Sequence, residues 1–231
     1  MSENSFEMQP IAYIQSDFRD KFGIPRQSGL VESLTSRIVF EKFCRNPQAL
    51  NGIENFDYLW LLWKFSENHH ENWKPTVRPP RLGGNERVGV FATRSPYRPN
   101  PIGLSSVKLL GIDWESKDAP ALIVAGADLL DGTPIYDIKP YLPYVDSHPD
   151  ARGGFAEEKK DYFLEVKISE ELLENFPSNK KESLFGVLSQ DPRPAYQDDA
   201  QRIYGLDFAG FNIKFTVENK VLTVKSIQKI L

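Results

Sequence analysis

Between Lys74 and Leu104 the chain reads KPTVRPPRLGGNERVGVFATRSPYRPNPIGL, with six prolines, four glycines and five arginines. Proline fixes φ and removes a backbone donor, so no regular helix or central strand can run through such a segment. Glycine permits close backbone approach. The stretch is therefore a rigid, irregular loop system, and the rest of the fold has to be built to hold it. Barrel-closing turns alone would explain the proline and glycine but not the arginine, the residue of bidentate phosphate and carboxylate recognition and of base stacking. From Lys74 to Lys108 seven basic residues (Lys74, Arg78, Arg81, Arg87, Arg94, Arg98, Lys108) meet one acid, Glu86. That segment is +6 in a chain of net charge −4, so the remainder carries −10. A basic island in an acidic chain focuses field locally and points to an anionic or nucleotide-like ligand.

Around the island the first half reads as short strands: 11–14, 38–43, 58–65, 88–93, 105–112 and 121–127, each bounded by Gly, Pro, Asn or Asp. One short helix is expected at Pro47–Leu50, capped by Asn46. Repeated βα alternation is missing, which argues for a closed, barrel-like antiparallel fold rather than a doubly wound one. A polar, Gly-containing stretch at 150–161 reads as a linker. Beyond it a small α+β unit is expected: a strand over 164–168, helices starting after Ser169 and Ser178, and a hairpin of 211–217 with 221–227. The division is thus a mainly β domain over 1–150 and a small α+β domain over 151–231.

Other chemistries find little support. There is no G-x-x-x-x-G-K-[ST] and no G-x-G-x-x-G after a strand, which excludes the usual P-loop and Rossmann nucleotide sites. Ser–His–Asp hydrolysis lacks a nucleophile elbow. His69, His70 and His148 complete no metal site, and the single cysteine, Cys44, offers neither a disulfide framework nor a thiolate cluster, so no metal is expected. No signal peptide or membrane span is visible, and the cytoplasm is the expected location. Asp131-Gly132-Thr133-Pro134 is by itself an ordinary turn or, functionally, a carboxylate aimed at a ligand. In Asp191-Pro192-Arg193-Pro194-Ala195-Tyr196, the flanking prolines would display Arg193, and Tyr196 offers a stacking face. A plain helix stop after Ser189 explains that block equally well.

The run Val90–Leu104, VFATRSPYRPNPIGL, resembles the signature of the TsaA-like family. Together with Thr76–Asn85, Asp131–Pro134, Pro25-Arg26-Gln27 and Asp191–Tyr196, it is similar to the TrmO branch, the bacterial tRNA (adenine-37-N6)-methyltransferases. The resemblance covers nearly the whole chain. It implies a non-Rossmann β-barrel that binds S-adenosylmethionine, works as a homodimer, and methylates N6 of threonylcarbamoylated adenosine at position 37 of tRNA. It further implies a donor site made of Pro25, Arg26, Gln27, Ser66, Glu67, Arg94, Leu104, Asp131, Gly132, Thr133 and Pro134, with the small domain engaging tRNA.

The residues agree with that chemistry. Arginine can clamp the donor's carboxylate, and an Asp suits its ribose hydroxyls. An adenine amino nitrogen is a poor nucleophile, so an acceptor for its proton would help; Asp131, Asp137 and Asp191 are open candidates. Arg78, Arg81, Arg98, Arg193 and Tyr196 are the expected tRNA contacts, and Tyr97, Tyr141 and Tyr196 could stack on the extruded base. Two other readings stand beside this one: a non-catalytic RNA-binding module, and a small-molecule methyltransferase on the same barrel.

Overall fold

In Tyr58–Lys64, YLWLLWK, every second residue is buried: Leu59, Leu61 and Trp63 face one way, Tyr58 and Lys64 are exposed. That period of two makes the segment a strand with an inner and an outer face. The computed structural model describes residues 6–67, 73–79, 86–159, 161–193 and 199–230. Its first half comprises β1 (Ala12–Gln15), β2 (Thr35–Phe40), β3 (Tyr58–Lys64), β4 (Thr76–Val77), β5 (Val88–Gly89), β6 (Ile102–Asp113), β7 (Ala121–Ala125) and β8 (Pro134–Pro140), followed by a single helical turn, α1 (Pro143–Asp146). Six of these strands close an antiparallel barrel in the order β1-β2-β7-β6-β3-β8, while β4 and β5 form a separate two-stranded ribbon. Closure removes free sheet edges. Ile14, Ile38, Leu59, Leu61, Val107, Leu122, Val124 and Ile135 fill the barrel and are fully buried.

The second half holds β9 (Glu165–Lys167), α2 (Glu170–Leu173), α3 (Lys181–Ser189), β10 (Tyr204–Phe208), β11 (Phe211–Glu218) and β12 (Val221–Lys229). They make a four-stranded sheet in the order β10-β11-β12-β9, antiparallel except for the β12–β9 pair. The expected hairpin is present; Asn219 and Lys220 turn it with φ of 48° and 63°, the conformation a two-residue primed turn requires.

Several elements depart from the sequence reading. The expected strand over 88–93 stops at Gly89 and winds into a 3-10 turn at Val90–Ala92, because both the backbone N–H and the hydroxyl of Thr93 donate to the Val90 carbonyl. The strand expected at 38–43 runs Thr35–Phe40, since Glu41–Cys44 closes a turn. The helix at Pro47–Leu50 is 3-10, with Asn46 accepting from the Gln48 N–H at 3.0 Å. The helix after Ser169 is the single turn α2, and β8 and β10 were not expected.

The two cores are joined by the loop between β1 and β2. Phe18, Val31 and Leu34 leave the barrel and enter the core of the small sheet, where Phe18 meets Phe208 at 5.4 Å between ring centroids. Lys180 pairs with Asp17 at 2.5 Å, Ser183 donates to the Ser33 carbonyl at 2.7 Å, and Ala209 donates to the Asp17 carbonyl at 3.1 Å. This loop carries Pro25, Arg26 and Gln27.

Candidate active site

The register of β3 on β6 sets Trp63 opposite Gly103. A Cβ on Gly103 would lie 2.2 Å from Cε2 of the indole, so glycine is what lets the ring lie flat on the β6 backbone. Trp63 Nε1 donates to Ser105 Oγ at 3.0 Å, and Phe65 meets the indole edge-on at 4.4 Å between centroids. Around this rim opens a cavity of about 620 Å³, a size suited to a nucleotide-like ligand. The ends of β3 and β6 form one wall, the β1–β2 loop another, and the Thr93–Arg98 segment a third; Asp128, Leu130 and Thr133 complete it.

Eight of the eleven positions expected to hold the donor line this one cavity: Pro25, Arg26, Gln27, Ser66, Glu67, Arg94, Leu104 and Thr133. Arg94 donates to the Gln27 side-chain carbonyl, and Lys21 donates to the Glu67 carbonyl at 2.8 Å, so the walls are tied across the opening. Asp131, Gly132 and Pro134 do not line it. Asp131 and Gly132 form the turn before Thr133, and Pro134 opens β8: Asp131 accepts the Ser16 N–H at 2.9 Å, and Gly132, at φ 74°, donates to the Ile14 carbonyl at 2.8 Å. Of this turn, Thr133 is the residue that reaches the cavity wall.

None of the three expected proton acceptors lines the cavity. Asp137 pairs with Lys139 at 2.8 Å on β8, and Asp191 lies in the small unit. The carboxylate that sequence reasoning missed is Asp128. Ser105, itself buried, donates to Asp128 Oδ1 at 2.6 Å, extending the chain that starts at Trp63. Burial pushes the Asp128 carboxyl above its usual range, against the opposing pull of the Ser105 bond, of backbone N–H groups and of the Arg94 charge.

The arginines separate by role. Arg78 is exposed, and Arg81 and Tyr196 lie outside the described residues. Arg98, expected to be free for phosphates, gives Nη1 to the Thr93 carbonyl at 2.7 Å and staples the turn. Arg193 is not displayed either: it turns back onto Asp191 through Nε at 2.9 Å and Nη2 at 3.0 Å, with 9% of its side chain exposed. Tyr97 lines the cavity with Lys74 over its ring at 5.0 Å, whereas Tyr141 packs on Trp60 outside it. Trp73 and Phe91, both exposed, stack at 6.1 Å beside this loop system.

Residues 13–147 match the family model of the tRNA-methyltransferase O N-terminal domain, and residues 161–230 match that of the TrmO C-terminal domain. The chain belongs to the tRNA-methyltransferase O family. It is 39% identical over 233 residues to the tRNA (adenine(37)-N6)-methyltransferase of Escherichia coli strain K12, covering 97% of this chain and 99% of that protein. The corresponding enzyme of Eikenella corrodens is 43% identical over 76% of this chain and 99% of its own. A crystal structure of TrmO superposes with a TM-score of 0.79 at 32% identity, covering 97% of this chain and 99% of the other. TrmO from Pseudomonas aeruginosa gives 0.77 at 32%, covering 96% and 98%. The closed barrel is therefore the family's fold. Among the described residues no helix is long and apolar enough to cross a membrane, and no group of three or more potential ligands gathers for a metal.

Proposed function

We propose that this chain transfers a methyl group from S-adenosylmethionine to N6 of adenine 37 in tRNA, and that the adenine it accepts is the threonylcarbamoylated form. The observation that carries the reading is the meeting, in one cavity of a chain of this family, of residues from four separate segments whose chemistry matches the donor. Arg26 and Arg94 can hold the donor's carboxylate, Ile24, Leu104 and Leu130 suit its adenine, and Gly103 lets the Trp63 ring lie close on the β6 backbone beneath them. Bound there, S-adenosylmethionine supplies an electrophilic methyl group on a sulfonium.

The chain's own work is then positioning. Gln27 orients Arg94, Lys21 ties the loop to the end of β3, and Trp63 with Phe65 gives a rigid floor. Holding the reacting atoms in line removes most of the entropy of encounter. Arg78, with the exposed Trp73–Phe91 stack, is offered to the tRNA backbone and to an unstacked base. We extend the proposal to a homodimer acting in the cytoplasm, with domains over 1–150 and 151–231, the second engaging tRNA.

The test is incubation with labelled S-adenosylmethionine and threonylcarbamoylated tRNA, followed by mass spectrometry of nucleosides. The expected product is the N6-methylated modified nucleoside. Methylation of unmodified adenine 37 alone would overturn the substrate assignment. Binding of tRNA without any methylation would leave an RNA-binding module.

A further inference from the structure

A polar side chain interrupts the apolar run after β7: Asp128 stands between Ala127 and Leu129, both buried. Ser105 on β6 ties it to the cavity by donating to Oδ1 at 2.6 Å, and the nearby Ser28 N–H of the β1–β2 loop and the Arg94 charge of the Pro-rich segment favour its ionised form. The Ser105 hydroxyl is directed by Trp63, whose Nε1 has no choice but to donate. Every neighbour in this chain is a donor, so the network fixes Asp128 as an acceptor on the cavity wall. Glu67, the other carboxylate there, is exposed at the mouth.

We propose that Asp128 accepts the proton that leaves adenine N6 as the methyl group arrives. The inference rests on the methyltransferase reading above. In that step the N6 lone pair forms the N–CH3 bond, the S–CH3 bond breaks with its electron pair left on sulfur, and the N6 proton passes to the Asp128 carboxylate, which returns it to solvent before the next turnover. A counter-charge for the donor's sulfonium would work best in a fully ionised carboxylate. Burial makes the ionised form of Asp128 less comfortable, which strengthens it as a base. The charged groups facing the same cavity are Lys21, Arg26, Glu67, Arg94 and Arg98.

The experiment compares wild type with Asp128→Asn in single-turnover methylation of tRNA, with donor affinity by calorimetry and thermal melting alongside. An amide keeps the acceptor for Ser105 but takes no proton. The expected result is a rate loss of about 10²–10⁴-fold, unchanged donor affinity, and a melting temperature equal to or above wild type because a buried charge is gone. The wild-type rate falls as pH drops through the raised Asp128 pKa. Ser105→Ala moves that acid limb to higher pH, because it removes a bond that favours the ionised form, and Glu67→Gln leaves the limb in place. A retained rate in Asp128→Asn, weakened donor binding, a lowered melting temperature, or a limb that follows Glu67 would each overturn the proposal. An inactive wild type would instead overturn the methyltransferase reading itself.

Discussion

Gly103→Ala tests the floor of the cavity with one methyl group. The φ of Gly103 is one that other residues adopt, so the substitution carries a steric cost and no conformational one. The new Cβ would lie 2.2, 2.4 and 2.6 Å from Cε2, Cζ2 and Cδ2 of Trp63. Carbon atoms in contact settle at about 3.5–4.0 Å, so the indole must withdraw by roughly an ångström or more. It has little room to do so, held by the Ser105 bond at 3.0 Å and by the edge of Phe65. Overpacking of this kind costs about 1–3 kcal/mol. Loss of the indole–hydroxyl bond adds about 1 kcal/mol. In a chain of this size each kcal/mol lowers the melting temperature by about 2–4 °C, so a fall of about 5–15 °C is expected by calorimetry. Donor affinity should fall with it. Trp63→Phe in the same chain relieves the clash, so the double variant should be less destabilised than the sum of the two single ones, by about 1 kcal/mol or more. An unchanged melting temperature for Gly103→Ala, or strict additivity with Trp63→Phe, would refute the packing argument.

Phe18→Ala removes a ring that is 1% exposed and lies against Phe208, and should cost about 3–5 kcal/mol in thermal unfolding while weakening donor binding through the loop it anchors. A normal donor affinity would show that the loop holds its shape without that anchor. Asp191→Ala removes the carboxylate that pairs with the buried Arg193 guanidinium and should destabilise by about 3–5 kcal/mol, measured in urea; Asp191→Asn should cost less, since Asn tolerates the φ of 51° found there. Phe91→Ala takes one face from the exposed aromatic pair and should weaken tRNA binding by about 1–3 kcal/mol with donor affinity unchanged, checked by filter binding. Equal tRNA affinity would remove this pair from the contact surface.

The strands that alternate cleanly were legible from the residues alone. β3 and the first half of β6 bury every second residue, β7 is a short continuous apolar run, and the β11–β12 hairpin turns on obvious loop chemistry. β8 was not, because it begins and ends in proline and carries Asp137 and Lys139, so its period is hidden. Arg193 was misplaced for a local reason: the prolines do keep it out of a helix, but Asp191, two residues earlier, takes a left-handed turn and captures the side chain. The basic island was legible because its composition is local. The Trp63–Ser105–Asp128 chain was not, because its bonds span 42 and 23 residues and no motif spacing records them.

The same distance argument explains why the donor site stands where it does. Without the β1–β2 loop, the ends of β3 and β6, the Thr93–Arg98 segment and Asp128, Leu130 and Thr133 would line a cavity that lacks its second wall. The second wall is a loop whose apolar residues, Phe18, Val31 and Leu34, are buried only when the small sheet covers them. A long connection between two adjacent barrel strands would otherwise be mobile, since it carries little regular structure of its own. Docking Phe18 on Phe208 and Asp17 on Lys180 converts it into a fixed wall that presents Pro25, Arg26 and Gln27. The small unit therefore acts on the donor pocket through packing, whatever it does with tRNA. Deleting it would strip the cover from three buried side chains before it removed any contact to nucleic acid, so loss of activity on truncation reports on the wall as much as on the substrate.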